Sequence, residues 1–162
     1  MEKAVFLDRD GTINVDYGYV VRKEDLKLMD GVPEALLQLQ RAGYLLIIVT
    51  NQSGVGRGYF SEEDVQLFNR QLVHHLSVFG IEITDIFTCF HAPEDKCNCR
   101  KPSPHMIFEA LHKYRIDPGK SFMIGDKISD IECGEAAGVR SFLLNSENNI
   151  VSVKDKILKT IK

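Results

Sequence analysis

Lys3-Ala4-Val5-Phe6-Leu7-Asp8-Arg9-Asp10-Gly11-Thr12 decides how the rest of the chain is read. Four apolar residues run straight into two carboxylates, a glycine and a hydroxyl, so a buried strand should stop abruptly at a polar edge. The same grammar recurs downstream. Apolar runs at 44–49, 81–90, 121–124 and 139–144 are each bounded by turn residues and read as strands. Between them lie helical stretches. Asp30 is read as an N-cap, with Pro33 in the first turn and Gly43 closing; Ser61 opens Glu62-Glu63-Asp64 and Gly80 closes. Ser103 is expected to cap a helix starting at Pro104 and running to about Tyr114, and 128–137 should end at Gly138. The tail from Asn145 reads as a loop and a short amphipathic helix. Strand and helix alternate almost throughout, and the strands lack polar alternation. This predicts an α/β fold with a doubly wound, mainly parallel, Rossmann-like sheet covered by helices on both faces.

With 162 residues, 44% hydrophobic, the chain can bury one core, so one domain over 1–162 is expected. The segment 11–29 is too short for a folded cap and, with Gly18, is expected to be a hairpin or flap beside the site, the flap itself at 12–22. No apolar run approaches the ~20 residues of a membrane span, and Asp8 interrupts the N-terminal apolar run before it could act as a signal-peptide core. Neither membrane nor export is expected. Twenty basic against 23 acidic residues, a net charge of −3, provide no general field for nucleic acid. Three of four cysteines fall within eleven positions beside His91, which without an export signal reads as metal chelation in a reducing cytosol.

In open α/β sheets ligands bind beyond the carboxyl ends of the strands. Those positions are rich in chemistry here: Asp8 and Asp10 after the first strand, Thr50-Asn51-Gln52-Ser53-Gly54 after the second, Arg100-Lys101-Pro102 after the third, Gly125-Asp126-Lys127 after the fourth. Two carboxylates two apart suit a nucleophile with a separate acid/base. Asp8 and Asp126 offer hard oxygen ligands for magnesium. Lys101, Lys127 and the Thr50 hydroxyl could neutralise a transferring phosphoryl group, and the amides of residues 51–53 suit anionic oxygens. Each motif alone has an ordinary reading, as an Asp-Gly turn, an Asn/Ser turn or a solvated lysine. Cys89-x-His91-x5-Cys97-x-Cys99 is more specific, since four ligands in two close pairs suit closed, tetrahedral, structural zinc in a loop 89–99. Cys133 is read as core, and His74, His75, His105 and His112 as ordinary helical residues.

Taken in order, the four stations resemble the haloacid dehalogenase superfamily of phosphohydrolases, whose DxDGT signature stands here as Asp8-Arg9-Asp10-Gly11-Thr12. The resemblance spans about 3–145 and includes Thr50, Lys101 before a proline, and Gly125-Asp126 followed by Ser129-Asp130. It implies Asp8 as the nucleophile of an aspartyl-phosphate and Asp10 as general acid, then base. It further implies Thr50 and Lys101 on the phosphoryl group, with Asp8, the Asp10 carbonyl and Asp126 on magnesium. The Cys/His pairs followed by Arg100-Lys101-Pro102 are similar to a zinc-bearing branch acting on heptose bisphosphate or histidinol phosphate. Residues 12–20 and 51–60 favour the heptose side, with hydrolysis at C7; the five residues between His91 and Cys97 resemble the histidinol-phosphate side. A monomer binding a small phosphorylated metabolite through Asp16, Tyr17, Gly18, Tyr19, Asn51, Gln52, Ser53, Arg57, Arg100 and Lys127 is therefore expected. The competing class, a non-catalytic zinc-stabilised binding module, predicts loss of key groups, yet all of them are present.

Overall fold

In the computed structural model, which describes residues 1–161, β1 (Ala4–Leu7) buries all four of its side chains. Alternate residues face opposite ways: Val5 and Leu7 join one apolar cluster, Ala4 and Phe6 the other. β2 (Leu45–Asn51) does the same, with Leu46 and Ile48 on the first side and Ile47 and Val49 on the second. That two-sided burial is why these strands carry no polar alternation. With β3 (Asp85–Cys89), β4 (Phe122–Gly125) and β5 (Arg140–Leu143) they form one parallel sheet in the order β3-β2-β1-β4-β5.

Helices cover both faces, as the sequence predicts. α1 (Val32–Arg41), α3 (Glu62–Ser77) and α6 (Ile150–Lys159) pack Leu36, Leu39, Phe68, Leu72, Val153 and Ile157 into the first cluster. α4 (His105–Tyr114) and α5 (Ile128–Ala136) give Met106, Ile107, Ala110 and Cys133 to the second. A single helical turn, α2 (Ser53–Gly56), stands where the sequence reading has a Gly-containing loop. No helix among the described residues is long and apolar enough to cross a membrane.

The chain winds outward in one direction through β2 and β3 and in the other through β4 and β5. The reversal falls between β1 and β4, where such sheets open a crevice. Leu7 pairs with Ile124 and the Asp8 amide donates to the Ile124 carbonyl at 3.1 Å, so Asp8 and Asp126 leave the sheet beside one another.

Several boundaries differ from expectation. β3 starts at Asp85, not at Ile81, because Ile81 turns into the core directly after α3 closes. The flap at 12–22 is the outer part of a longer paired segment within 11–29. Val15 donates to the Lys27 carbonyl and Met29 to that of Ile13, both at 2.8 Å, so a paired stem reaches residue 29 and Asp16 to Tyr19 form an exposed tip. α4 is capped at Pro104, with Ser103 one residue outside it. Ser61 does cap α3, in a reciprocal capping box with Asp64.

α1 is not capped by Asp30 but starts after Gly31, whose φ of 81° is left-handed. A Cβ there would lie 2.5 Å from Cγ2 of Val151 on α6. Gly31→Ala should therefore destabilise the protein by about 1–3 kcal/mol. Urea denaturation gives the check: an unchanged midpoint would show that the turn adapts freely.

Candidate active site

Lys101 is withdrawn from solvent, and its ammonium has three acceptors: Asp8 Oδ1 at 2.8 Å, Asp130 Oδ1 at 2.7 Å and the Val49 carbonyl at 2.7 Å. Its backbone is clamped by the Asn51 side chain, which accepts from the Lys101 amide at 3.0 Å and donates to its carbonyl at 3.2 Å. The peptide to Pro102 is cis. Burial alone would push the lysine down, but Asp8 and Asp130 hold its pKa above the ordinary range. Burial likewise opposes ionisation of Asp8, yet Lys101 keeps that carboxyl below the usual carboxylate range. At Asp130 burial and the Asp8 charge prevail over Lys101 and the shift is upward.

Asp130 is doubly engaged, because Oδ2 also accepts from the Lys127 amide at 3.1 Å at the start of α5. Asp8 and Asp126 are not. Asp8 Oδ2 and Asp126 Oδ1 are buried without a hydrogen-bond partner. Asp126 is pushed up to about 7, first by burial and then by the neighbouring Asp8 carboxylate. Ligand oxygens of Asp8, Asp126 and Asp130 lie within 4.8 Å of one another. Two unpartnered, mutually repelling carboxylate oxygens fit a hard divalent cation, magnesium above all where a phosphate is bound. Gly11, at φ 83°, lets the loop pass against the Asp126 carboxylate, where a Cβ would collide with it.

Asp10 sits across the opening. It lines a pocket of about 30 Å³ together with Asp8, Asn51, Lys101, Lys127, Ser129 and Asp130. Arg9 grips its two oxygens at 3.0 Å each, Asn14 Nδ2 donates to Oδ1 at 2.9 Å and Gln52 Nε2 to Oδ2 at 3.0 Å. Gln52, expected on the substrate, is instead buried and also donates to the Thr50 hydroxyl at 2.9 Å. Thr50 accepts that bond at the end of β2, which leaves its own proton to give.

The metal-ligand candidates of the loop converge as well. Cys89, His91, Cys97 and Cys99 bring their ligand atoms within 4.8 Å of one another, with Cys89 Sγ 3.6 Å from Cys97 Sγ and His91 Nδ1 3.3 Å from Cys99 Sγ. Three thiols and an imidazole are a soft donor set of the kind zinc takes. The backbone at Gly56 packs on that of His91 and Ala92, and Arg57 reaches Glu94 at 3.8 Å. Arg100 follows directly, with Nη1 buried and unpartnered. Ser53 heads α2 half-buried, while Asp16, Tyr17, Gly18 and Tyr19 are exposed on the flap tip. The ring of Tyr19 meets that of Tyr59 edge-on, 4.9 Å between centroids, so the tip leans on the loop after α2. Sequence reasoning quoted Arg9 and Asp130 within its motifs but gave neither a role, because their partners are fixed only by tertiary structure.

A buried lysine between aspartates at the switch point of a doubly wound sheet is the arrangement expected of a phosphatase of the haloacid dehalogenase type, and the likeness to known proteins bears that class out. The HAD-hydrolase-like family pattern matches residues 98–154. The D-glycero-beta-D-manno-heptose-1,7-bisphosphate 7-phosphatase of Haemophilus ducreyi is 46% identical over 150 residues, 88% of this chain and 82% of that protein. The protein of the same name from Pasteurella multocida is 44% identical, covering 89% and 82% respectively. The crystal structure of D,D-heptose 1,7-bisphosphate phosphatase from B. bronchiseptica, complexed with magnesium and phosphate, superposes with a TM-score of 0.88 at 26% identity, covering 98% of this chain and 99% of that one. The chain belongs to this family of haloacid-dehalogenase-like phosphatases.

Replacing Lys101 by Met leaves Asp8 and Asp130 facing each other without their cation. The variant should be inactive and about 3–5 kcal/mol less stable near neutral pH. Because Asp8 sits below its ordinary range in the parent, that stabilisation is present above about pH 4 and is lost as pH falls further, while the bare carboxylates of the variant gain protons. The stability gap should therefore narrow on acidification; a gap constant from pH 7 to pH 4 would contradict this assignment.

Proposed function

We propose that the chain hydrolyses phosphomonoesters through an aspartyl-phosphate on Asp8, and that its substrate is D-glycero-D-manno-heptose 1,7-bisphosphate, cleaved at C7. The observation that carries the chemistry is the asymmetry of Asp8: one oxygen is tied to Lys101 while the other is buried and unpartnered. The Asp8 carboxylate attacks phosphorus in line as the bond to the sugar oxygen breaks, and Asp10 gives that oxygen its proton. Asp10 then takes a proton from water as the water attacks the phosphorus; the acyl-phosphate bond breaks, releasing inorganic phosphate and restoring Asp8. Lys101, by turning one of the three protons it now gives to protein acceptors, and the Thr50 hydroxyl, with the amides that follow it, hold the phosphoryl oxygens. Asp8, Asp126 and the Asp10 carbonyl would hold magnesium, which neutralises charge on the phosphoryl group. Asp8→Asn should leave a folded protein with turnover reduced to background. Appreciable phosphate release by that variant, with deamidation excluded by mass spectrometry, would rule out the covalent route.

The substrate reading draws on the names of the relatives and on the rim. In place of a cap, the flap tip at Asp16 to Tyr19, with Ser53, Arg57, Arg100 and Lys127, is read as the rim that contacts the sugar and the second phosphate; one nitrogen of Arg100, Nη1, is buried without a partner, and a guanidinium can grip a phosphate bidentately. Arg100→Ala should penalise the bisphosphate at least about tenfold more than a monophosphate analogue. Specificity constants for both heptose bisphosphate anomers, histidinol phosphate and simple sugar phosphates test it. A clear preference for histidinol phosphate would move the substrate to the other branch.

Zinc on Cys89, His91, Cys97 and Cys99 completes the reading as a closed structural site that braces the approach to Arg100 and Lys101. Three thiols held as ligands suit a reducing cytosol, and a monomer suffices because all these groups lie on one chain. Protein purified without chelators should contain about one zinc per chain. Cys97→Ser or chelation should lower activity in a way that added magnesium does not restore; full activity in metal-free protein would remove the brace.

A further inference from the structure

Arg9 is fully withdrawn from solvent, and no step above uses it. A guanidinium in such a place is costly unless its donors are met. Nε and Nη2 form a fork on Asp10 at 3.0 Å each, Nη1 donates to Asn69 Oδ1 of α3 at 3.0 Å, and Nη2 donates again to the Val20 carbonyl of the flap at 2.6 Å. Its Cζ lies 4.5 Å from the centroid of the Phe68 ring, also on α3. Asp10, the flap and α3 thus converge on one guanidinium.

That carboxylate is not sealed in the interior. Asp10 keeps 15% of its side chain exposed and faces the pocket that holds Asp8 and Lys101. A buried ion pair serving the fold alone needs no open side, whereas one that aims a proton-transfer group does. The fork matters here, because two parallel N–H bonds fix the rotation of a carboxylate as well as its position, and the point charge of a lysine fixes only the position.

We propose that Arg9 is a positioning residue for proton transfer. It sets the direction of the Asp10 carboxylate and, through Val20 and Asn69, ties that direction to the seating of the flap on α3. The inference rests on the aspartyl-phosphate reading, in which Asp10 first protonates the leaving alcohol and then deprotonates water. Arg9 acts through Asp10 and touches no substrate.

A leaving-group comparison separates positioning from plain stability. Alcohol release from a sugar phosphate requires a proton from Asp10, whereas p-nitrophenolate departs without one. Arg9→Met and the charge-retaining Arg9→Lys, each checked for folding by circular dichroism and for zinc by elemental analysis, are compared with the parent. The readouts are the single-turnover rate of sugar release and the burst rate from p-nitrophenyl phosphate. The expected loss for the sugar phosphate is about tenfold or more beyond that for the aryl phosphate, with KM little changed and little recovery in Arg9→Lys. Should Arg9→Met not fold, Arg9→Lys alone carries the comparison, since it keeps a cation beside Asp10. Equal losses for the two leaving groups in any folded variant, or unchanged sugar release, would overturn the role of Arg9 while Asp8 stays essential. Turnover that survives Asp8→Asn would instead remove the aspartyl-phosphate reading, and Arg9 with it.

Discussion

The ammonium of Lys101 is the point on which the polar end of this molecule depends. Three acceptors from three parts of the fold use up its three protons: the carboxylate after β1, the carbonyl of Val49 within β2, and Asp130 in the first turn of α5. An unpaired buried cation would be intolerable, and so would Asp8 and Asp130 side by side without it. Each group is therefore the condition for the others. The arrangement also explains why Asp8 can stay ionised while buried: Lys101 meets one of its oxygens and leaves the other for chemistry.

Lys101 must arrive at that point from outside the sheet, on a segment with no strand or long helix to direct it. Its approach is set at two places. Asn51 pairs with both backbone groups of Lys101, and the side chains of Cys89, His91, Cys97 and Cys99 cluster in the loop just before it. The same loop packs on α2 at Gly56 and meets Arg57 through Glu94. The segment that delivers the lysine and the segment that follows Thr50 are thus one packed unit at the rim of the site.

What could be read from the chain was what depends on local pattern. Apolar runs gave away the strands because both faces of the sheet are covered, and each polar station could be found by looking just past a run. Ser61 was legible as a cap because its partner Asp64 is three residues away. Asp30 was not a cap, since the preference of glycine for a left-handed φ at position 31 outweighed a carboxylate one residue earlier. The failures at the site share one cause, distance along the chain. Arg9 looked like the variable position of a motif, and its partner Asn69 lies 60 residues away. Gln52 looked like a substrate contact, yet it turns inward to Asp10, 42 residues away.

The flap has a stem closed by main-chain hydrogen bonds, from Val15 to Lys27 and from Met29 to Ile13, and a tip from Asp16 to Tyr19 whose side chains face solvent. Main-chain pairing does not depend on what the tip residues are. If the tip contacts substrate as proposed, selectivity can drift under natural selection, or be diversified in a library, mainly at Asp16 and Tyr17, since Gly18 and Tyr19 are held at positive φ, while the stem keeps its register. On that reading evolvability is concentrated in a short exposed stretch, away from the buried charges of Asp8, Lys101 and Asp130.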